Sequence, residues 1–340
     1  MRRVCLIGPH ANCTQDFLSN YHGVNTVVDE NSPLAALRRH KEAKLGSYAP
    51  GLSSIEDNDT ETPLFREAVA AAADADVAVL FAGLHQVQES ENNDRADLGL
   101  PGAQHELIQA VVAANPRTVL VLINGGPLAI EWEKEHVPAI LECFYGGEYG
   151  GQAIVDVLFG THNPDGRMPV TTYPAEYIKR SPFNMDLRAD GGQTYLYYDG
   201  TFGSVLWPFG HGLSYTTFEY RNVSRFNTAM MSTAEFGSGA VSHVVEVANV
   251  GAVAGATSVL GFISAVDQPD APIRQLYAFS KVFLEPGQSQ RVELKLPAGT
   301  PGAATVGEDG RVRILPGTYI VRVENLQWQH HVHGPALVVE

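Results

Sequence analysis

The sequence has 340 residues, of which 44% are hydrophobic, and its 23 basic and 38 acidic residues give a formal net charge of −15 at pH 7. A chain of this length exceeds the usual size of one domain, so two domains are expected. The negative charge repels phosphate backbones and anionic lipid surfaces, and no apolar run reaches the roughly 20 residues needed to cross a bilayer. Neither nucleic acid nor a membrane is therefore an expected partner.

The first half of the chain alternates between strand and helix patterns. Short apolar runs rich in branched residues, each typical of a strand buried on both faces, occupy residues 4–7, 77–81, 119–123 and 139–143. Helical patterns lie between or after them, at residues 63–73, after Pro101 as far as Asn115, and at residues 151–159. This alternation predicts an α/β three-layer sandwich with a mostly parallel sheet.

The pattern changes twice in the second half. Residues 160–215 lose their periodicity and are rich in Pro, Gly and aromatic residues, as in a structured connector. After Phe218 only strand patterns follow, with period-2 alternation such as that of Val292, Leu294 and Leu296, and turn signals separate them at intervals that suit a small all-β sandwich. We therefore predict an α/β domain at residues 1–175, a linker at 176–217 and a β-sandwich at 218–340.

Two carboxylates mark the loop after the second predicted strand. Ligands gather at the carboxyl ends of parallel strands, and Glu89 and Glu91 follow such an end, with Asp94 and Arg95 close behind. Glycoside hydrolysis needs one carboxylic acid as proton donor and a second carboxylate as nucleophile or base. On spacing alone the more common arrangement is an exposed loop whose acids are solvated and pair with Arg95.

Other side chains offer weaker signals. Tyr21, Tyr145 and Tyr149 lie in loops on the expected ligand side, where an aromatic face can either stack on a sugar or pack at a domain junction. Neither the three cysteines, which have no C-x-x-C spacing, nor the three histidines at 330, 331 and 333 indicate a metal site, and we expect the histidines to be strand residues. No cofactor is expected.

A resemblance to a known family shifts the balance towards catalysis. The loop Gly83-Leu84-His85-Gln86-Val87-Gln88-Glu89-Ser90-Glu91-Asn92-Asn93-Asp94-Arg95 resembles the acid/base loop of glycoside hydrolase family 3, especially its β-xylosidase branch. Further motifs follow in that family's order: Asn124-Gly125-Gly126-Pro127, Tyr145-Gly146-Gly147-Glu148-Tyr149-Gly150-Gly151, Asn163-Pro164-Asp165-Gly166-Arg167, Pro208-Phe209-Gly210-His211-Gly212-Leu213-Ser214-Tyr215 and Lys281-Val282-Phe283-Leu284-Glu285-Pro286-Gly287. The last of these is similar to the family's fibronectin type III-like domain. His85 and Asn92-Asn93 stand where relatives often carry Asp and a Gly-containing pair.

The resemblance implies a role for each residue of the loop. Glu89 aligns with the general acid/base, Glu91 is the alternative two residues later, and Gln88 and Glu91 are weaker candidates for substrate binding. Relatives are retaining enzymes without a metal, and a separate (β/α)₈ barrel supplies their aspartate nucleophile in a Ser-Asp-Trp or Ser-Asp-Tyr setting. No Ser-Asp dipeptide occurs in this sequence. We therefore expect the isolated chain to be nearly inactive without a missing or separate barrel, whether it is a fragment, a truncated gene model or half of a split enzyme.

The implied activity is hydrolysis of O-glycosyl bonds by an exo-acting β-xylosidase that acts on xylan-derived oligosaccharides. The alternatives are a β-glucosidase of the same family and a non-catalytic module that binds carbohydrate or a partner. The resemblance also implies an extracellular protein, although no signal peptide is recognised in this sequence.

Overall fold

The computed structural model describes residues 3–24, 28–224 and 227–339, which form two compact units. The first runs from the described amino terminus to His162 and includes Thr172–Lys179 and Gly203–Leu206. The second contains Asn163–Thr171, Arg180–Phe202 and the described residues from Trp207 onwards. Residues of the expected linker fall into both units, and the domain boundaries at 175 and 217 stay predictions.

The first unit alternates strands and helices along the chain. Its elements are β1 (Arg3–Ile7), α1 (Pro33–Arg39), β2 (Lys44–Ala49), α2 (Pro63–Asp74), β3 (Val77–Gly83), α3 (Gln104–Ala114), β4 (Thr118–Ile123), α4 (Glu131–His136), β5 (Ala139–Glu142) and α5 (Gly150–Leu158). Short 3₁₀ turns lie at Pro9–Asn12, Gln15–Phe17, Asp29–Asn31 and Ala175–Lys179. Two of the helices begin in the expected way, since Ser32 and Thr62 accept hydrogen bonds from the first turns of α1 and α2 and a proline follows each cap.

All five strands of this unit pair in parallel, in the order β2-β1-β3-β4-β5. One face of the sheet packs against α1 and α5, through side chains such as Phe81, Val121, Leu34 and Ile154. Helices α2 and α3 pack against each other and contact strands of the same sheet, and Leu107 of α3 is fully buried. The predicted three-layer α/β sandwich is confirmed.

Gly83 ends β3 immediately before the loop that contains Glu89 and Glu91, and this position needs a glycine. Its φ is +144°, and a Cβ atom would lie 1.9 Å from the carbonyl oxygen of Ile123 on the neighbouring strand. The buried Gln104 amide fixes this position by accepting from the Gly83 N–H and donating to its carbonyl, at 2.8 and 3.0 Å. The chain therefore leaves the sheet at a point that only a residue without a side chain fits.

Gly83→Ala is expected to lower the free energy of unfolding by more than about 2 kcal/mol, because the added methyl group overlaps backbone atoms that cannot move independently. Urea unfolding followed by circular dichroism measures this difference. Gly46→Ala in β2 is the matched control: its added Cβ meets only ordinary contacts at 3.5 Å, so stability should change by less than about 0.5 kcal/mol. Equal losses in the two variants would contradict the steric explanation.

The second unit is built mainly from strands. Its elements are α6 (Thr194–Tyr197), β6 (Phe218–Asn222), β7 (Thr228–Ser232), α7 (Thr233–Phe236), β8 (Ser242–Asn249), β9 (Gly255–Ala265), β10 (Gln275–Leu284), β11 (Ser289–Lys295), β12 (Thr305–Val306), β13 (Val312–Ile314), β14 (Gly317–Val323), β15 (Leu326–His333) and β16 (Leu337–Val338). They form sheets in the orders β10-β9-β14-β15-β7, β11-β8-β6 and β12-β13-β16. The three histidines at 330, 331 and 333 lie in β15, as expected of strand residues.

Alternate residues of these strands point into one common core. Val245 and Val292 from one sheet join Val259, Val321 and Trp328 from the other in a single buried cluster. Such packing of two inner sheet faces is typical of a β-sandwich, so the predicted β-sandwich is confirmed, with one short helix, α7, inserted between β7 and β8. Among the helices of the described residues, none has the length and apolar character of a membrane span.

Candidate active site

The candidate site lies at the carboxyl edge of the parallel sheet of the first unit. Glu89 is in the loop after β3, Gly125 and Gly126 follow β4, and Tyr145 follows β5. Strands β3, β4 and β5 are neighbours in the sheet, so their carboxyl ends lie side by side and bring these loops together. The topology thus assembles residues that are far apart in sequence.

The Glu89 carboxylate accepts three hydrogen bonds from the neighbouring loops. The Gly126 N–H donates to Oε2 at 2.8 Å, and the Tyr145 hydroxyl donates to Oε1 at 2.5 Å. The Gly125 N–H also donates to Oε1. Hydrogen bonds to a carboxylate are stronger than those between neutral groups, so three donors hold Glu89 against the loops after β4 and β5.

The two glycines allow this close approach. A Cβ on Gly125 would lie 2.8 Å from the Tyr145 ring and 3.0 Å from Glu89 Oε1. A Cβ on Gly126 would lie 2.8 Å from Arg95 Nη2 and 3.0 Å from Glu89 Oε2. The Asn-Gly-Gly-Pro sequence therefore provides backbone donors where any side chain would displace the carboxylate.

Tyr145 acts here through its hydroxyl group. Burial, followed by the hydrogen bond to Glu89, raises the pKa of Tyr145, so the phenol keeps its proton and donates a hydrogen bond to the carboxylate. The other two tyrosines of the expected ligand side, Tyr21 and Tyr149, are 77% and 66% exposed. The three tyrosines thus differ: one anchors Glu89 and two present open surface.

The first part of the loop that contains Glu89 is held by a buried histidine. Burial lowers the pKa of His10 to about 4, so its ring is neutral at pH 7. Its Nε2 atom lies 3.1 Å from the carbonyl oxygen of Leu84, an arrangement in which a neutral ring donates its N–H to that oxygen. His10 thereby ties the start of the loop to the segment after β1.

Further contacts fix both ends of the loop. The Gln88 amide donates to Glu56 Oε1 at 2.6 Å and accepts from the His85 N–H at 3.1 Å, and the His85 ring lies 3.2 Å from the same Glu56 carboxylate. Arg95 Nη2 donates to the carbonyl of Pro127 at 2.9 Å. Both ends of the Gln88 amide are thus occupied by protein contacts within the unit.

Glu91 lies at the tip of a tight turn. The Asn93 N–H donates to the Ser90 carbonyl at 2.9 Å, and the Asn93 amide donates to the Ser90 hydroxyl at 2.6 Å. Asn92 adopts a φ of +67°, which asparagine tolerates better than most residues. Glu91 itself is exposed and has no hydrogen bond or ion pair within the described part of the chain. Its carboxylate is therefore free of contacts within the described residues and lies at the tip of the turn.

A second carboxyl group lies beneath the loops that hold Glu89. Glu142 ends β5, accepts from the Phe144 N–H at 3.1 Å and faces the Asn124 amide at 3.4 Å. Burial raises the pKa of Glu142 to about 7, and the nearby negative charge of Glu89 adds to the shift. The site therefore contains a carboxyl group that titrates near neutrality, behind the exposed loop.

The shifted pKa of Glu142 predicts a pH dependence of stability. The folded state holds this proton more tightly than the unfolded state, so its stabilising effect is complete below about pH 4.5 and is lost as the pH rises through about 7. The full shift corresponds to about 3 kcal/mol, and we expect about 2 kcal/mol because the residue keeps some solvent contact. Urea unfolding at several pH values should show this loss in the natural protein and not in Glu142→Gln. A loss of the same size in that variant would assign the effect to another group.

The sequence singled out the Glu89 loop but not all of its partners. The Asn124-Gly125-Gly126 segment is part of a family motif, whereas the only sign of Glu142 in the sequence is a single acidic residue at the end of an apolar strand. His10 gave none. These residues act through contacts between loops 18 to 74 positions apart, which local sequence patterns do not reveal. No group of three or more His, Cys, Asp or Glu side chains that could hold a metal ion occurs in the described ranges.

Comparison with family models matches both units. The model of the glycosyl hydrolase family 3 C-terminal domain covers residues 1–215, and that of the fibronectin type III-like domain covers residues 258–327. Among curated proteins, β-D-xylosidase 1 of Arabidopsis thaliana is 33% identical over 96% of this chain and 45% of its own length. Probable β-glucosidase J of Aspergillus fumigatus is 34% identical over 79% of this chain and 32% of its own length.

Solved structures of glycosidases also superpose on this chain. An exo-β-xylosidase of this family, in complex with a xylobiose aziridine probe, superposes with a TM-score of 0.89 and 28% identity over 100% of this chain and 46% of its own. A β-glucosidase of Bifidobacterium adolescentis gives a TM-score of 0.76 and 27% identity over 99% of this chain and 49% of its own. The chain therefore spans about half the length of these relatives or less.

Proposed function

Because the chain belongs to glycosyl hydrolase family 3, we propose that it supplies the general acid/base of an enzyme that hydrolyses O-glycosyl bonds. The observation that carries the proposal is the loop from Leu84 to Arg95, which is fixed at both ends and presents a free carboxylate at the carboxyl edge of the sheet. A proton donor must reach the glycosidic oxygen while its backbone stays in place, and this loop combines the two properties.

The proposed chemistry is the retaining mechanism. It needs two carboxyl groups about 5 Å apart, one as nucleophile and one as acid and then base. The nucleophile is assigned to a (β/α)₈ barrel outside this sequence, which fits a chain that spans about half the length of its relatives or less. The acid/base first protonates the leaving oxygen and then removes a proton from the water that attacks the glycosyl-enzyme bond.

The contacts support a division of roles between the two glutamates. The resemblance aligns Glu89 with the acid/base, yet its carboxylate already binds three donors, whereas Glu91 projects from the tip of the turn without a partner in the described residues. We therefore favour Glu91 as the proton donor and Glu89 as the residue that holds the loop. Glu89 is the alternative donor, which requires its carboxyl group to leave Gly125, Gly126 and Tyr145. Gln88, expected to bind substrate, is assigned to loop support because both ends of its amide are used.

The proposed substrates are xylan-derived oligosaccharides cleaved from their ends, with a β-glucosidase as the alternative. Relatives of both names occur at similar identity, and the xylosidases of Arabidopsis thaliana and the solved exo-β-xylosidase match over nearly the whole chain. An extracellular location is part of the proposal. The test is hydrolysis of aryl β-xyloside and aryl β-glucoside after a family barrel is added: faster xyloside cleavage supports the proposal, and glycan binding without any cleavage favours a non-catalytic binding module.

A further inference from the structure

The partly buried Glu142 faces the buried Asn124 next to the backbone that holds Glu89. Asn124 is completely buried, and its Nδ2 donates to the Gly126 carbonyl at 3.0 Å while facing Glu142 Oε2 at 3.4 Å. Its Oδ1 atom is buried without a hydrogen-bond partner in the part of the chain that the structure describes. An unpaired buried acceptor costs free energy. The orientation of the Asn124 amide that makes the best hydrogen bonds therefore depends on whether the Glu142 carboxyl group is ionised or protonated.

The two orientations follow from hydrogen-bond chemistry. An ionised Glu142 only accepts, so it pairs with the Nδ2 side of the Asn124 amide, as observed. A protonated Glu142 carries an O–H donor and needs an acceptor, which the unpaired Oδ1 supplies once the amide rotates by half a turn. The same rotation removes Nδ2 from the Gly126 carbonyl. The proton comes from solvent and stays on the carboxyl oxygen, so no other group changes its charge.

We propose that Glu142 is a positioning residue that controls, through the Asn124 amide, how firmly Gly126 and Gly125 hold Glu89. With Glu142 ionised, Asn124 fixes Gly126, whose N–H holds Glu89 in turn. With Glu142 protonated, Gly126 loses that support and the acid/base loop gains freedom. The consequence for proton donation rests on the function proposed above. The coupling between protonation of Glu142 and rotation of the Asn124 amide does not.

The groups around Glu142 allow it to titrate near neutrality. Glu89 approaches from the loop after β3 and disfavours a second negative charge. Tyr145 and Cys143 stay protonated because burial raises the pKa of each. Next to Gly126, Arg95 donates to the carbonyl oxygen of Pro127, and no ion pair joins it to Glu142 within the described residues. Burial of the carboxyl group, opposed by its hydrogen bonds from Phe144 and Asn124, is therefore the main influence.

The same carboxyl group also borders a strained turn. Glu142 accepts from the N–H of Phe144, which has a φ of +49° although it is not glycine. This hydrogen bond stabilises a left-handed conformation that a bulky side chain rarely adopts. The turn leads directly to Tyr145, so protonation of Glu142 weakens both loops that donate to Glu89.

NMR spectroscopy of the chain itself tests this inference. The backbone amides of Gly125 and Gly126 and the side-chain amide of Asn124 are followed in ¹⁵N-labelled protein from about pH 5 to about pH 9. We expect all three to titrate together with a midpoint near pH 7. In Glu142→Gln, whose amide can donate to Asn124 at every pH, they should stay close to the low-pH positions of the natural protein. Glu148→Gln, an exposed acid of the same loop, is the control and should titrate like the natural protein.

Two results would overturn the inference: the absence of a common titration, or the same titration in Glu142→Gln. If that variant does not fold, ¹³C-labelled glutamate in the natural protein reports the Glu142 carboxyl directly, and a midpoint in the ordinary glutamate range near 4.5 overturns it equally. No substrate or barrel is involved, so an inactive reconstituted enzyme leaves this result untouched. A failed titration, in turn, leaves the proposed glycosidase activity standing.

Discussion

Adding a barrel of glycosyl hydrolase family 3 to this chain, fused or as a separate protein, is expected to raise aryl β-xyloside hydrolysis by at least about 10³-fold over the chain alone. The physical reason is that double displacement needs two carboxyl groups on opposite sides of one sugar, and we assign only the acid/base to this chain. The barrel alone should be similarly slow. Release of the aryl leaving group is measured by absorbance, with equal concentrations of each component. It gives the rates of the chain alone, of the barrel alone and of the two together.

Interpretation of that experiment depends on proof of assembly. Size-exclusion chromatography shows whether the separate components form a complex, and the fused protein removes the need for association. A stable complex or a folded fusion with no rate above that of the separate parts would contradict the proposed division of catalytic groups. Activity of the chain alone equal to that of the complex would contradict it as well.

Replacing Glu91 by Gln in the reconstituted enzyme is expected to lower kcat by about 10² to 10⁴-fold, because Gln has the same shape but cannot transfer a proton. Glu89→Gln should lower it by about 10-fold or less, through the weaker hold of Gly125, Gly126 and Tyr145 on an uncharged side chain. Steady-state kinetics of both variants on the same aryl xyloside provides the comparison. The reverse order of effects would assign the proton donor to Glu89.

Azide distinguishes loss of an acid/base from general damage to the site. A small anion attacks the glycosyl-enzyme bond without general base assistance. Azide should therefore partly restore the turnover of Glu91→Gln when the substrate has a good leaving group. It should leave Glu89→Gln unchanged if Glu89 only anchors the loop. Thermal unfolding of each variant is the control, since a large loss of stability would explain a low rate without any catalytic role.

The strands with continuous apolar sequence were predictable, whereas one edge strand was not. β3 and β4 are buried on both faces, so their apolar runs identify them without knowledge of their neighbours. β2 lies at the edge of the sheet, and its sequence Lys-Leu-Gly-Ser-Tyr-Ala contains a glycine and too few apolar residues to stand out. Its position is set by pairing with β1, which is a tertiary interaction.

The same distinction applies to the candidate site. Sequence motifs identified the loop that contains Glu89 and Glu91, because its residues are contiguous. They did not indicate that Glu89 binds backbone groups 36 and 37 residues away, nor that a tyrosine 56 residues away donates to it. Those contacts follow from the adjacency of β3, β4 and β5, and they occupy Glu89 while Glu91 has no partner within the described residues.

Proton donation by this loop is tested most directly by varying the leaving group. Aryl β-xylosides that span a range of leaving-group pKa values are hydrolysed by the reconstituted enzyme and by its Glu91→Gln variant. Acid assistance matters most for a basic leaving group, so the variant should lose about 10³-fold or more on poor leaving groups and much less on the best ones, with a steeper dependence of rate on leaving-group pKa. A loss of the same size for every substrate would contradict the account, because a residue that only shapes the site cannot distinguish one leaving group from another.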